Sequence, residues 1–142
     1  MPGGPSVVGF VAFTGVKFGG YVVAAVALKK AFRSDSSPWK VGLARTLIGL
    51  GVGITFGLTY AFLMESLAHR WSDSLSAVAF FGPLIPIRLA EWALLIHIFF
   101  DRGLVQRAKD LKYAFIGAAW SFLLDAAGVA AALVIPGGIW VC

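Results

Sequence analysis

Cysteine is all but missing from this chain: Cys142 stands alone among 142 residues. A single thiol excludes an intrachain disulfide and any metal centre built from several thiolates. Histidine is nearly as scarce, with only His69 and His97. These two fall at opposite ends of the apolar sequence around them, so no His/Cys spacing suits zinc or haem, and neither a metal nor a cofactor is expected. Charge is short as well. Charged residues make up 13% of the chain and hydrophobic ones 59%, a balance unlike that of an ordinary soluble domain. The alternating segments of ~10 residues that build a transmembrane β-barrel are absent. No solenoid repeat or low-complexity tract occurs. The opening Met1-Pro2-Gly3-Gly4-Pro5-Ser6 has no basic residue, and Lys17 interrupts the apolar stretch behind it. A retained helix is therefore expected there, not a cleaved signal peptide.

What the sequence does hold is long apolar runs. Four can be read, roughly Val7–Leu28, Val41–Met64, Ala77–Phe100 and Tyr113–Ile135. Each is near the ~20 residues that cross a hydrocarbon core as a helix, and helix is required because backbone polar groups in lipid must be satisfied within the segment. The expectation is an all-α, polytopic membrane protein. It forms a single domain over residues 1–142, with four transmembrane helices in an antiparallel bundle.

Net charge is +5, and its placement sets orientation. The connection from Lys29 to Lys40 carries four basic residues, as does that from Asp101 to Lys112, while that from Glu65 to Ser76 carries one. The positive-inside rule puts the first and third connections in the cytoplasm and both termini outside, with the bacterial cytoplasmic membrane as the expected location. Basic residues that flank apolar runs, with no continuous stripe, argue against nucleic acid and for membrane lipid as a partner. Trp39, Trp71, Trp140 and Tyr113 stand at run ends, as interfacial aromatics do. Leu104, Val105, Ala108 and Leu111 suggest a short amphipathic helix on the cytoplasmic surface.

Within the runs, Gly49, Gly53 and Gly57 form a small-xxx-small ladder, expected to let another backbone come close. Gly49-Leu50-Gly51-Val52-Gly53 has no Walker lysine, so packing is preferred to phosphate binding. Pro83 and Pro86 are expected to bend the third helix or delay its start. Gly117, Ser121, Asp125, Gly128 and Ala132 form one small, polar stripe on the fourth, expected to be buried.

The candidate site is a layer of charge. Lys17, Arg88, Glu91 and Asp125 each lie within about three residues of a run midpoint, a vertical spread of about 5 Å. An isolated charge at that depth costs at least ~2.5–3.5 kcal/mol, so a mutual network is expected. Arg88 and Glu91 are i,i+3 neighbours, and Lys17 meets Asp125 or Glu91. Glu91 and Asp125 are candidate proton carriers; Lys17 and Arg88 are candidate anion binders. Arg45 is secondary: it falls about two turns nearer the cytoplasm, where it is expected to snorkel. His97 is secondary too. It lies about 180° around the helix from Arg88, with Asp101 placed to orient it, and it suits a headgroup contact better than a proton shuttle.

Three functions fit. The first is a homo-oligomeric transporter or channel for an ion, a proton or a small charged solute. The second is a structural or assembly subunit bound to a partner membrane subunit. The third, an enzyme acting on a lipid, ranks last: acids and a cation suit acid–base chemistry, but the chain shows no nucleophile–base pair.

Overall fold

The computed structural model describes residues 7–67 and 73–134. It is all-helical, with α1 (Val7–Phe32), α2 (Pro38–Leu67), α3 (Asp73–Phe99) and α4 (Arg107–Val134). Three of these contain stretches long and apolar enough to cross a membrane, Gly9–Phe32, Pro38–Leu63 and Gly82–Phe99. This is consistent with membrane association. α4 opens on Arg107, Lys109, Asp110 and Lys112, so its first turns are polar. The helices outrun the apolar runs at most ends; at the end of α1 and the start of α4 the added turns carry Lys and Arg, whose long side chains let a helix continue where the apolar sequence stops.

Helix ends follow local chemistry. At the end of α1, Arg33 takes a left-handed conformation with φ 50°, and the Ser34 N–H reaches back to the Lys29 carbonyl at 3.2 Å. That is the Schellman closure, which favours glycine at the left-handed position. A side chain there costs about 1 kcal/mol or more. Arg33→Gly is accordingly expected to stabilise the protein by about 1 kcal/mol, read as a raised midpoint of thermal unfolding in detergent. α2 then starts with Pro38 as its first helical residue, where the missing N–H has no helical partner to lose, and the Ser37 carbonyl accepts from Val41 N–H at 3.1 Å. The hydroxyls of Ser34 and Ser36 both donate to the Phe99 carbonyl, at 3.2 and 2.5 Å. They tie the α1–α2 connection to the last turn of α3.

α1 packs against α2 and α4, and α3 against α4 and, less extensively, α2; neither α1 with α3 nor α2 with α4 makes close backbone contact among the described residues. The four helices thus close a ring around shared side chains. Tyr21, Ala25 and Leu28 of α1, Val41 of α2, Trp92, Leu95 and Ile96 of α3 and Ala114, Ala118 and Leu124 of α4 are buried together. Large apolar residues such as Val11, Leu47, Leu58, Phe62, Ile85 and Leu123 point outward instead, an arrangement that suits hydrocarbon surroundings. Thr46, Thr55 and Thr59 satisfy their hydroxyls on the carbonyls of Gly42, Gly51 and Thr55, four residues back on their own helix, as hydroxyl side chains do when no water is at hand.

Several expectations need correction. α3 does not start late: it runs helical from Asp73 through Pro83 and Pro86, and both prolines are exposed. No separate amphipathic helix forms before α4. Leu104 sits in a turn with φ 52°, Val105 is exposed, and Ala108 and Leu111 lie on exposed positions of α4 itself. Among the described residues, the glycine ladder makes no close backbone contact at Gly49 or Gly57. A Cβ on Gly57 would meet nothing within 4 Å, while one on Gly49 would meet the Arg45 guanidinium; Gly53 is half-buried. The close approaches occur elsewhere. Added Cβ atoms on Gly117 and Gly128 would overlap the rings of Trp92 and Phe13. The stripe on α4 is buried at Gly117, Ser121 and Gly128 and half-buried at Asp125. The side chain of Ala132, like His69, Trp71 and Trp140, lies outside what is described.

Candidate functional site

Five charged side chains, drawn from all four helices, meet inside the ring. Lys17 comes from the middle of α1, Arg45 from the second turn of α2, Arg88 and Glu91 from α3, and Asp125 from α4. Lys17 Nζ lies 2.5 Å from Asp125 Oδ1. The other Asp125 oxygen accepts from Arg88 Nη2 at 3.1 Å. Arg88 Nη1 donates to Glu91 Oε2 at 3.3 Å, and the same oxygen accepts from Arg45 Nη2 at 2.7 Å. The result is one chain of alternating charge, Lys17–Asp125–Arg88–Glu91–Arg45.

The i,i+3 spacing of Arg88 and Glu91 explains why a single turn of α3 supplies the middle of that chain. Each end is packed against aromatic rings. Lys17 Nζ lies 4.4 Å from the centre of the Phe13 ring. The Arg45 guanidinium carbon lies 4.8 Å from the Tyr21 ring centre and 5.2 Å from that of Trp92. These are cation–π distances, and such contacts gain strength when the cation is desolvated. Trp92 and Tyr21 meet edge to face, with centroids 6.0 Å apart. The Trp92 indole N–H donates to Ser121 Oγ at 2.9 Å, and that hydroxyl also accepts from Arg45 Nη2 at 3.2 Å. Trp92 and Ser121 thus belong to the site although neither was proposed for it.

Arg45 requires a correction. It does not snorkel; it is 0% exposed and ends on Glu91. Counting residues from run ends placed its Cα near the interface. The guanidinium stands several bonds away from that Cα, and α2 turns the side chain toward α3. Its face was nonetheless readable, since Val41, Arg45, Ile48 and Gly49 recur at helical spacing.

The network is not closed. Among the described residues, buried Tyr21 Oη, Arg45 Nε and Nη1, Arg88 Nε and Glu91 Oε1 have no hydrogen-bond partner. Buried polar atoms without partners are uncommon and call for an explanation. Between α1 and α2 lies a cavity of about 40 Å³ lined by Phe13, Lys17, Tyr21, Gly49 and neighbouring residues; of the side chains with unmet atoms, Tyr21 lines it, whereas Arg45, Arg88 and Glu91 do not.

His97 stands apart from this cluster. It is exposed, and its Nδ1 accepts from the Gly103 backbone N–H at 2.9 Å. Asp101 does not orient it, because Asp101 Oδ2 instead accepts from Gln106 N–H at 2.8 Å. Asp110, buried in the first turn of α4, has its pKa raised, first by burial and then by the neighbouring Asp101 carboxylate, with Lys109 opposing. An acid whose folded-state pKa is raised holds its proton more firmly folded than unfolded, so stability falls as pH climbs from 3.8 through the raised value. Asp110→Asn is therefore expected to raise the unfolding midpoint at pH 7. The advantage over the parent shrinks as the pH is lowered toward 4, which a pH series of melting curves measures.

Among the described residues no group of three or more His, Cys, Asp or Glu side chains forms a metal-binding set. No family model matches this chain, and neither a curated protein nor a solved structure is detectably similar to it. What can be defined is a class by architecture: an all-helical chain with spanning-length apolar helices and a buried, multi-helix charge network.

Proposed function

We propose that this chain is a small integral protein of the bacterial cytoplasmic membrane. In this reading all four helices cross the bilayer as an antiparallel bundle with both termini outside. The protein acts as a homo-oligomeric transporter or channel for an ion, a proton or a small charged solute. The observation that carries the proposal is the convergence of five ionisable side chains from four helices, several of whose buried polar atoms have no hydrogen-bond partner among the described residues. Charges in a membrane interior are costly and mark ion or proton paths by default. A purely structural network favours closure, since each unmet buried group costs ~1–3 kcal/mol. Glu91, whose Oε1 accepts no hydrogen bond among the described residues, is the first candidate proton carrier. Asp125, half-buried and shared between Lys17 and Arg88, is the second carrier.

Purified protein in liposomes tests this. Flux of protons or ions above that of empty vesicles is expected, tracking pH and falling at least tenfold in Asp125→Asn. Vesicles that pass no cation, anion or proton faster than controls would overturn the reading.

A second reading has one specific support. The far half of α2 carries exposed Ile54, Leu58, Phe62 and Leu63, an outer wall that a partner membrane subunit can cover. Purification in mild detergent discriminates. A stoichiometric foreign subunit favours the assembly role, and a homo-oligomer without one favours transport.

A further inference from the structure

The outer face between α3 and α4, at the end where the two helices are joined, carries a groove that the charge network does not use. Its volume is about 520 Å³, within the range of small-molecule sites. Ala90, Ala93 and Ala114 leave it deep, and Leu89, Leu104 and Leu111 line it. It runs on to His97, since the adjoining hollow shares Ala90, Ala93, Gly103 and Leu104. Ala90, Leu94 and Leu111 are exposed, so the groove opens away from the bundle, toward lipid in the membrane reading.

The length of the groove suits one leaflet. From Leu89 to His97, α3 advances about 12 Å at 1.5 Å per residue, against about 15 Å for half of a ~30 Å hydrocarbon core. His97 lies near the end of the apolar span Gly82–Phe99, close to headgroup depth. Two donors flank the groove at that end. Arg107 lines it from the start of α4; it is exposed and forms no ion pair among the described residues. His97 lines it from α3. Its Nδ1 accepts from Gly103 N–H, so the neutral ring carries its proton on Nε2, a donor. The carboxylates nearby offer little to a cation. Asp110 lines the groove, but both its carboxylate oxygens are buried, and Asp101 Oδ2 is taken by Gln106 N–H.

We infer that this α3–α4 groove binds an anionic phospholipid of the phosphatidylglycerol class, its phosphate at Arg107 and His97 and an acyl chain along the alanine floor. A guanidinium suits phosphate because it offers paired N–H donors. A phosphate that carries uncharged glycerol balances Arg107. An ethanolamine or choline headgroup would add an ammonium with no open carboxylate to meet it. The inference rests on the membrane reading and is independent of transport. A lipid held there fills the gap that small residues leave between α3 and α4.

Phosphatidylglycerol is the probe and phosphatidylcholine the control, each added to the purified full chain in detergent. Native mass spectrometry reads the lipid retained per chain, and thermal unfolding reads the shift in midpoint. Phosphatidylglycerol is expected to be retained as a single molecule per chain and to raise the midpoint saturably; phosphatidylcholine is expected to do neither. Arg107→Gln is expected to weaken the apparent affinity about tenfold. Arg102→Gln removes an equal charge from an exposed residue outside the groove, and its effect is expected to stay within about twofold. Ala90→Phe, at an exposed position, fills the groove and is expected to abolish retention. The two arginine variants decide the matter if the phenylalanine variant does not fold.

Equal responses to the two lipids would overturn the inference. So would equal losses in Arg107→Gln and Arg102→Gln, which mark general charge attraction, or undiminished retention in Ala90→Phe. Flotation with liposomes reports on the membrane reading separately. A chain that floats with them but does not tell the lipids apart loses this site alone. A chain that stays in the dense fraction loses both.

Discussion

Glu91→Ala is expected to destabilise the protein by about 3–5 kcal/mol, the cost of leaving a buried charge without its partner. Among the described residues, Glu91 Oε2 is the only carboxylate oxygen paired with Arg45, and it also takes Arg88 Nη1. Arg88 keeps Asp125 after the substitution. Among the described residues, Arg45 then keeps only the Ser121 hydroxyl and two ring faces. Chemical unfolding in mixed micelles measures the loss. The paired substitution Arg45→Met with Glu91→Leu provides the control: replacing both members of a buried pair by apolar groups is often nearly neutral. It is therefore expected to recover most of the stability. An unchanged midpoint for Glu91→Ala would mean that solvent reaches the pair and that Arg45 is hydrated.

Trp92→Ala is expected to cost a comparable 3–5 kcal/mol, the usual range for deleting a buried tryptophan. The residue is 1% exposed, and its indole fills several roles at once. It lies over the bare Cα of Gly117, where any Cβ would overlap the ring, and so holds α3 close to α4. It packs edge to face on Tyr21 of α1, stands against the Arg45 guanidinium of α2 and donates to Ser121. All four helices therefore meet at this one side chain. Trp92→Phe restores an aromatic face but not the N–H. It is expected to lose only about 1–2 kcal/mol, chiefly the hydrogen bond and the smaller ring. The same unfolding series tests it. If alanine and phenylalanine cost the same, packing at this point is not what holds the helices together.

The two substitutions probe different physics at adjacent residues. Glu91 reports on electrostatics in a site cut off from solvent, and Trp92 on shape. Their coupling is expected to be strong, because Arg45 touches both.

The amino-acid sequence by itself determined the helices and the charge-bearing residues of α1, α3 and α4. Long apolar runs leave the backbone no alternative in hydrocarbon. Ionisable residues in such runs stand out because each is costly alone. The buried stripe of α4 was legible from small and polar residues at helical spacing. What only the tertiary structure decided was which groups join. Arg45 was set aside because linear counting follows Cα height, whereas a guanidinium acts at the end of a long side chain whose direction depends on how α2 faces α3. Gly49 was read as a backbone contact, yet the space it opens is taken up beside two guanidinium groups; Gly117 and Gly128 are the glycines that ring side chains press against. Ser121 was read as part of a buried stripe and Trp92 was not singled out; their shared hydrogen bond places both around Arg45. Helical periodicity is a property of one segment, and a sequence displays it. Partnership between segments depends on rotation about each helix axis and on side-chain reach, and those are settled only when the four helices pack.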